Sequence, residues 1–130
     1  ERVAAAAEAV RRLPVPFVLT ARTENFLHGR ADLDDTIRRL QAFEQAGAEV
    51  LFAPGLPDLA SVRAVCLAVS APVNFMAGIK GKSFSVPELE QAGVKRVSVA
   101  SSFYRAAMAA LRDAATEVRD HGSFGYLDRL

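Results

Sequence analysis

Four short apolar runs, opening near residues 17, 49, 72 and 96, are each followed by a helical pattern, and this alternation constrains the fold more than any other feature. The runs are Phe17–Ala21 in PFVLTAR, Glu49–Ala53 (EVLFA), Pro72–Met76 and Arg96–Ala100 (RVSVA). Each is short enough for a buried strand. Asp32 is a helix N-cap ahead of Leu33, Ile37, Leu40 and Phe43, which share one face, and Gly47 stands where a C-terminal glycine belongs. Asp58 opens a second helix through about Val69, with Leu59, Val62, Val65 and Cys66 apolar. Ser85 and Glu88 have capping-box spacing for a short third helix ended by Gly93. Ser101 and Ser102 are cap candidates for a long helix that breaks at Gly122 and leaves a tail over 122–130. An Ala-rich helix over 2–13, ended by Pro14 and Pro16, precedes them all.

Repeated strand–helix units give a parallel sheet, because each helix supplies the crossover that parallel neighbours need. An open doubly wound sheet and four units of a (β/α)8 barrel both satisfy this pattern. No glycine-rich dinucleotide or phosphate-loop motif follows any of the runs, so the α/β barrel is the expectation.

Composition narrows the partners. The chain has 130 residues, the length of one small domain. Sixteen basic and fifteen acidic residues leave a net charge of +1, which offers no footprint for nucleic acid or an anionic membrane surface. One cysteine excludes an internal disulfide and fits a reducing compartment. No apolar run has the length of a spanning helix, and a cytoplasmic location is expected. With Gly counted and Tyr left out, roughly 55% of residues are apolar, above the usual roughly 45–50%. The chain also opens at Glu1, inside a helical pattern, so residues upstream are expected.

Both architectures put chemistry at the carboxyl ends of the strands. Arg22, just after the first run, offers a fork that grips a carboxylate or phosphoryl group bidentately. Glu24 is a metal-shell carboxylate, a base or an orienting partner for Arg22. Asn25 and His28 share that loop. Asn74 alternates against Val73 and Phe75; if its side faces a barrel interior, it touches substrate or bonds a neighbouring strand. Gly78–Lys82 carries two lysines and free amides for an anion but lacks phosphate-loop spacing. No converging acids for a divalent cation and no nucleophilic triad can be assembled.

The segment FVLTARTENFLHGRADLDDTIRRLQAFEQAGAEVLFAPG resembles the isocitrate lyase and phosphoenolpyruvate mutase superfamily. That family has a strand ending in A-R-T and an acid, a short loop, then a helix of the form LD-x-x-I-x-R-x-x-x-(Y/F)-x-x-AGA and a strand ending at F. PVNFMAG, GVKRVSVASSFYRAAMAAL and GSFGYLD resemble its phosphonomutase-like members. The resemblance implies that 1–130 is a single region, the C-terminal half of a (β/α)8 barrel. It implies a Mg²⁺-dependent lyase or mutase (an isomerase) that makes or breaks a C–C or P–C bond of a small 2-oxo acid through an enolate. Arg22 matches the family's substrate-binding arginine, with Glu24 and Asn74 as further substrate-binding candidates. The Mg²⁺ ligands and the mobile catalytic loop are expected on earlier strands, which leaves this chain inactive by itself. A homo-oligomer is expected, with the last helix exchanged between subunits or closing its own barrel.

The likeness is not uniform. Isocitrate and methylisocitrate lyases carry a glutamate after the strand's F-P, where this chain has Ala53, Pro54 and Gly55, and their later asparagine falls near Met76. A smaller acid than a tricarboxylate is therefore expected. Two other readings stand beside this one: a non-catalytic half-barrel that assembles through its sheet edges, and an unrelated barrel enzyme binding phosphate near Gly78–Lys82.

Overall fold

The computed structural model describes residues 1–129, which form one unit over Glu1–Ser98 and a second from Val99 onward. The first unit begins with helix α1 (Arg2–Arg11). It continues through strand β1 (Thr20–Arg22), helix α2 (Leu33–Gln45), β2 (Val50–Phe52), α3 (Leu59–Ala68), β3 (Val73–Met76), α4 (Val86–Gln91) and β4 (Arg96–Ser98). The strands lie side by side in chain order, every neighbouring pair parallel. This is the expected α/β architecture of successive βα units of (β/α)8 type.

The helices start where short polar side chains satisfy their first free amides. Asp32 accepts from the Asp35 amide at 2.8 Å, and Asp58 accepts from the Ser61 amide at 2.7 Å. Ser85 and Glu88 form the full capping box, with Pro87 in the first turn of α4. Gly93 follows α4 at φ +100°.

The strands are shorter than their apolar runs. Phe17 and Val18 lie outside β1 and are 55% and 57% exposed, because pairing with β2 begins only at Leu19, whose carbonyl accepts from the Glu49 and Val50 amides. Upstream, Pro14 and Pro16 have no amide to offer a ladder. Arg22 consequently ends β1 rather than following it. At β4 the pairing stops at Ser98, short of Val99 and Ala100.

One face of the sheet is apolar and covered. Ala21, Leu51, Val73 and Phe75 join Leu40, Val62, Val65 and Leu89 of the helices in a single buried cluster. Cys66 packs against this cluster, half-buried, and burial raises its thiol pKa. A polar tie fixes α2 to the entry of β3: the Glu44 carboxylate accepts from the Ser70 and Ala71 amides at 2.9 and 2.6 Å. Among the described residues no helix is long and apolar enough to cross a membrane.

The second unit holds helix α5 (Ser102–His121) and a 3₁₀ turn over Gly125–Arg129. Gly122 closes α5 at φ +63°. Ser101 occupies the N-cap position without a side-chain cap bond, whereas the Ser102 hydroxyl donates to the Val99 carbonyl at 2.6 Å. The expected tail over 122–130 is thus partly ordered by the turn, and its last residue, Leu130, lies outside the described residues. The Glu117 carboxylate accepts from the Ser123 hydroxyl at 2.8 Å and the Gly125 amide at 2.5 Å, bonds that hold it below its ordinary pKa.

A Cβ on Gly93 would stand 2.9 Å from the Cys66 Cβ, on a backbone that L residues rarely adopt. Gly93→Ala is expected to lower unfolding stability by roughly 2 kcal/mol or more, read by denaturant titration.

Candidate functional site

Parallel register decides which side chains share the second face of the sheet. Arg22 pairs with Phe52, Phe52 with Asn74, and Asn74 with Arg96. Alternation adds Thr20, Met76 and Ser98 to the same side. Arg96 Nη1 donates to Thr20 Oγ1 at 3.1 Å across two intervening strands. In a flat sheet those strands would stand about 14 Å apart, three spacings of about 4.8 Å, beyond the combined reach of the two side chains. The sheet is therefore curled toward this face, as a barrel wall is toward its interior.

Arg22, at the carboxyl end of β1, is gripped in two ways. Glu24 takes it from the side, with Nε to Oε1 at 2.5 Å and Nη2 to Oε2 at 3.1 Å. The Phe52 ring lies under the guanidinium, 5.1 Å from its central carbon to the ring centroid. One edge and one face of the cation are thereby occupied by protein, while Nη1 has no bonded partner among the described residues. Both partners of the ion pair remain about two-fifths exposed, so its value lies in orientation more than in stability.

The loop that presents Glu24 is held by a chain of buried polar contacts. The Thr23 hydroxyl donates to Asn25 Oδ1 at 2.6 Å, and Asn25 Nδ2 donates to the Asp35 carboxylate at 2.7 Å. Arg39 Nε reaches the same carboxylate oxygen at 2.6 Å. Thr23 and Asn25 are both buried. The neighbouring loop closes on this one at Gly55, φ +87°, where a Cβ would come within 3.2 Å of Leu27 and 3.3 Å of Phe26. Between the Arg22 loop and helix α2 lies an open cleft of about 460 Å³, bordered by Arg22, Glu24, Asn25, His28, Arg39 and Phe43.

The structure brings Arg22 and Glu24 together and leaves Asn74 apart from them. Asn74 lies two residues before the end of β3, 4% exposed, with Nδ2 donating to Ser98 Oγ at 3.0 Å. That is the bond between neighbouring strands foreseen as one of its two roles. Its Oδ1 is buried and has no partner. Met76, not Asn74, stands at the end of β3. In the segment Gly78–Lys82, considered for an anion, two of the amides are taken from within: the Gly78 amide donates to the Ser83 hydroxyl and the Lys82 amide to the Ile79 carbonyl. Phe52 and the Thr23–Asn25–Asp35 chain were not singled out from sequence. Only the T-x-N spacing after the first run hinted at the latter. No group of three His, Cys, Asp or Glu that could hold a metal ion exists among the described residues.

The phosphoenolpyruvate phosphomutase family matches residues 1–119. The chain belongs to this family. A Corynebacterium glutamicum protein assigned as 2-methylisocitrate lyase 1 is 33% identical over 99% of this chain and 42% of its own length. A crystal structure of a Burkholderia cenocepacia J2315 protein assigned as a lyase/mutase is 54% identical, with a TM-score of 0.90 over 98% of this chain and 46% of that one. Oxaloacetate acetylhydrolase in complex with its product oxalate is 28% identical, with a TM-score of 0.83 over 95% and 43%. The chain spans under half the length of each of these relatives.

The Asp35 carboxyl is held below its ordinary 3.8, first by the Arg39 hydrogen bond and then by Asn25. A carboxylate with a depressed folded-state pKa stabilises the fold fully above its unfolded value, and the contribution is lost as pH falls through the folded one. The Asn25 side-chain amide signals in NMR are thus expected to hold their positions down to about pH 4 and to shift only in stronger acid. Asp35→Asn is expected to abolish that acid transition.

Proposed function

We propose that this chain supplies the acid-binding side of a lyase or mutase active site, in which Arg22 holds the carboxylate or phosphonyl group of a small 2-oxo acid. The observation carrying this reading is the state of Arg22: fixed by Glu24 and Phe52 at a strand end, with its Nη1 edge unpartnered. A planar fork held in this way meets a planar carboxylate without rearranging, which is the form of recognition at which arginine surpasses lysine. The oxalate-bound oxaloacetate acetylhydrolase neighbour supports an acid of that size.

In this proposal the chain is the C-terminal half of the barrel, and making or breaking a C–C or P–C bond proceeds through an enolate. Such a step needs positive charge where the enolate develops. A Mg²⁺ ion would supply Lewis acidity, and its ligands would have to come from outside residues 1–129, since none converge here. What the chain's own residues do is bind and orient: Arg22 fixes the acid group, and Glu24 keeps the guanidinium in plane. Asn74 offers an acceptor deeper in the interior for a hydroxyl or protonated group of the ligand. The absence of glutamate at Ala53–Gly55 favours a short diacid or phosphono acid over a tricarboxylate. A cytoplasmic homo-oligomer completes the reading, supported by the single free thiol and by the family.

In a barrel assembled with its remaining strands, Arg22→Ala is expected to lower kcat/KM by about 100-fold on whichever small 2-oxo acid is turned over. Arg22→Lys should recover little of it, because an ammonium has no fork. Unchanged kcat/KM in Arg22→Ala would refute the assignment. The 130-residue chain alone is expected to show no magnesium-dependent turnover in the same assay.

A further inference from the structure

We infer that the inward face of the sheet is one half of an interface whose other half is acidic, and that it does not close on a second copy of this chain. This rests on the half-barrel reading proposed above and deepens it, through Arg96 and Thr20, which lie away from the Arg22 clamp.

The four strands read TAR, VLF, VNFM and RVS, with two arginines and no Asp or Glu. Arg22 already has its carboxylate in Glu24. Arg96 has none: its bond is to the neutral Thr20 hydroxyl, and no carboxylate among the described residues lies within ion-pair distance. On the open sheet this is harmless, since Arg96 is exposed to water. In a closed barrel the same face becomes a packed interior. There an unpaired guanidinium loses its hydration, a cost that only a facing anion offsets. Whatever covers the face must bring an anion to Arg96.

Position says what kind of anion. Arg96 and Thr20 are each the first residue of their strand, whereas Arg22 is the last of its own. Ligands of barrel enzymes sit at the carboxyl ends of strands, so a substrate group does not serve Arg96. An Asp or Glu side chain near the start of an incoming strand does.

A second copy does not meet this demand. It would bring another Arg96 and no acid, enclosing two like charges in one low-dielectric space. The occupant is a different polypeptide segment, one with inward-facing acid.

The probe is the segment of the Burkholderia relative that this chain leaves unmatched, mixed with this chain and also co-expressed with it. Binding measured by sedimentation is expected, weakening as salt rises, and Arg96→Leu should weaken it by about tenfold or more. Arg112→Leu, which removes an exposed arginine paired with Asp113 in the second unit, should leave it unchanged. For the chain alone, Arg96→Leu is expected to strengthen self-association, because it removes the like-charge barrier. The inference is overturned if the segment binds neither form, if Arg96→Leu binds it as tightly as the native chain, or if the native chain forms a homodimer that Arg96→Leu weakens.

Discussion

Everything in the first unit depends on the parallel ladder, because register alone sorts the side chains of each strand between two opposed environments. Odd-numbered partners such as Ala21, Leu51 and Val73 are sealed against helices, while Arg22, Phe52, Asn74 and Arg96 share the other side. A slip of one residue would send Arg22 and Asn74 into the apolar layer and turn Leu51 outward. The burial of Leu40, Val62, Val65 and Leu89 beneath the sheet resists such a slip. The packing of one face therefore guarantees the chemistry of the other.

The clamp at Arg22 shows how local and distant contacts divide the labour. Glu24 is two residues away and needs only the strand-end turn to reach its partner. Holding that turn in shape takes longer connections: Asn25 to Asp35 across the loop, and Gly55 against Phe26 and Leu27 from the next unit. Loops at strand ends carry function when a rigid scaffold positions them. Here the N-terminal turn of α2 is that scaffold.

What the sequence disclosed follows the same division. The caps at Asp32, Asp58 and Ser85 were legible because each depends on residues three apart. The order of the elements and the family resemblance were legible too, the first from periodicity and the second from A-R-T-E. Strand limits were not, since Phe17 and Val18 have the composition of a strand but no partner to pair with. Likewise Asp35 looks like any acid in a first turn until Asn25 is found against it. Alternation sets Asn74 opposite Val73 and Phe75, yet only the folded chain reveals that one of its two polar atoms is satisfied and the other is not.

Strand order and chain order coincide, and this has a consequence for how the chain acquires its structure. Each strand meets a neighbour 22 to 30 residues away, with the intervening helix closing the loop, and the Glu44 bridge to Ser70 and Ala71 spans a similar distance. Loop-closure entropy is therefore met in modest instalments rather than in one long-range step. Assembly of this kind is quasi-linear, as in repeat proteins, where stability accumulates unit by unit through nearest-neighbour interfaces. Such a sheet can nucleate at any adjacent pair and grow toward both edges, which makes the βα unit, rather than the whole barrel, the natural quantum of its folding.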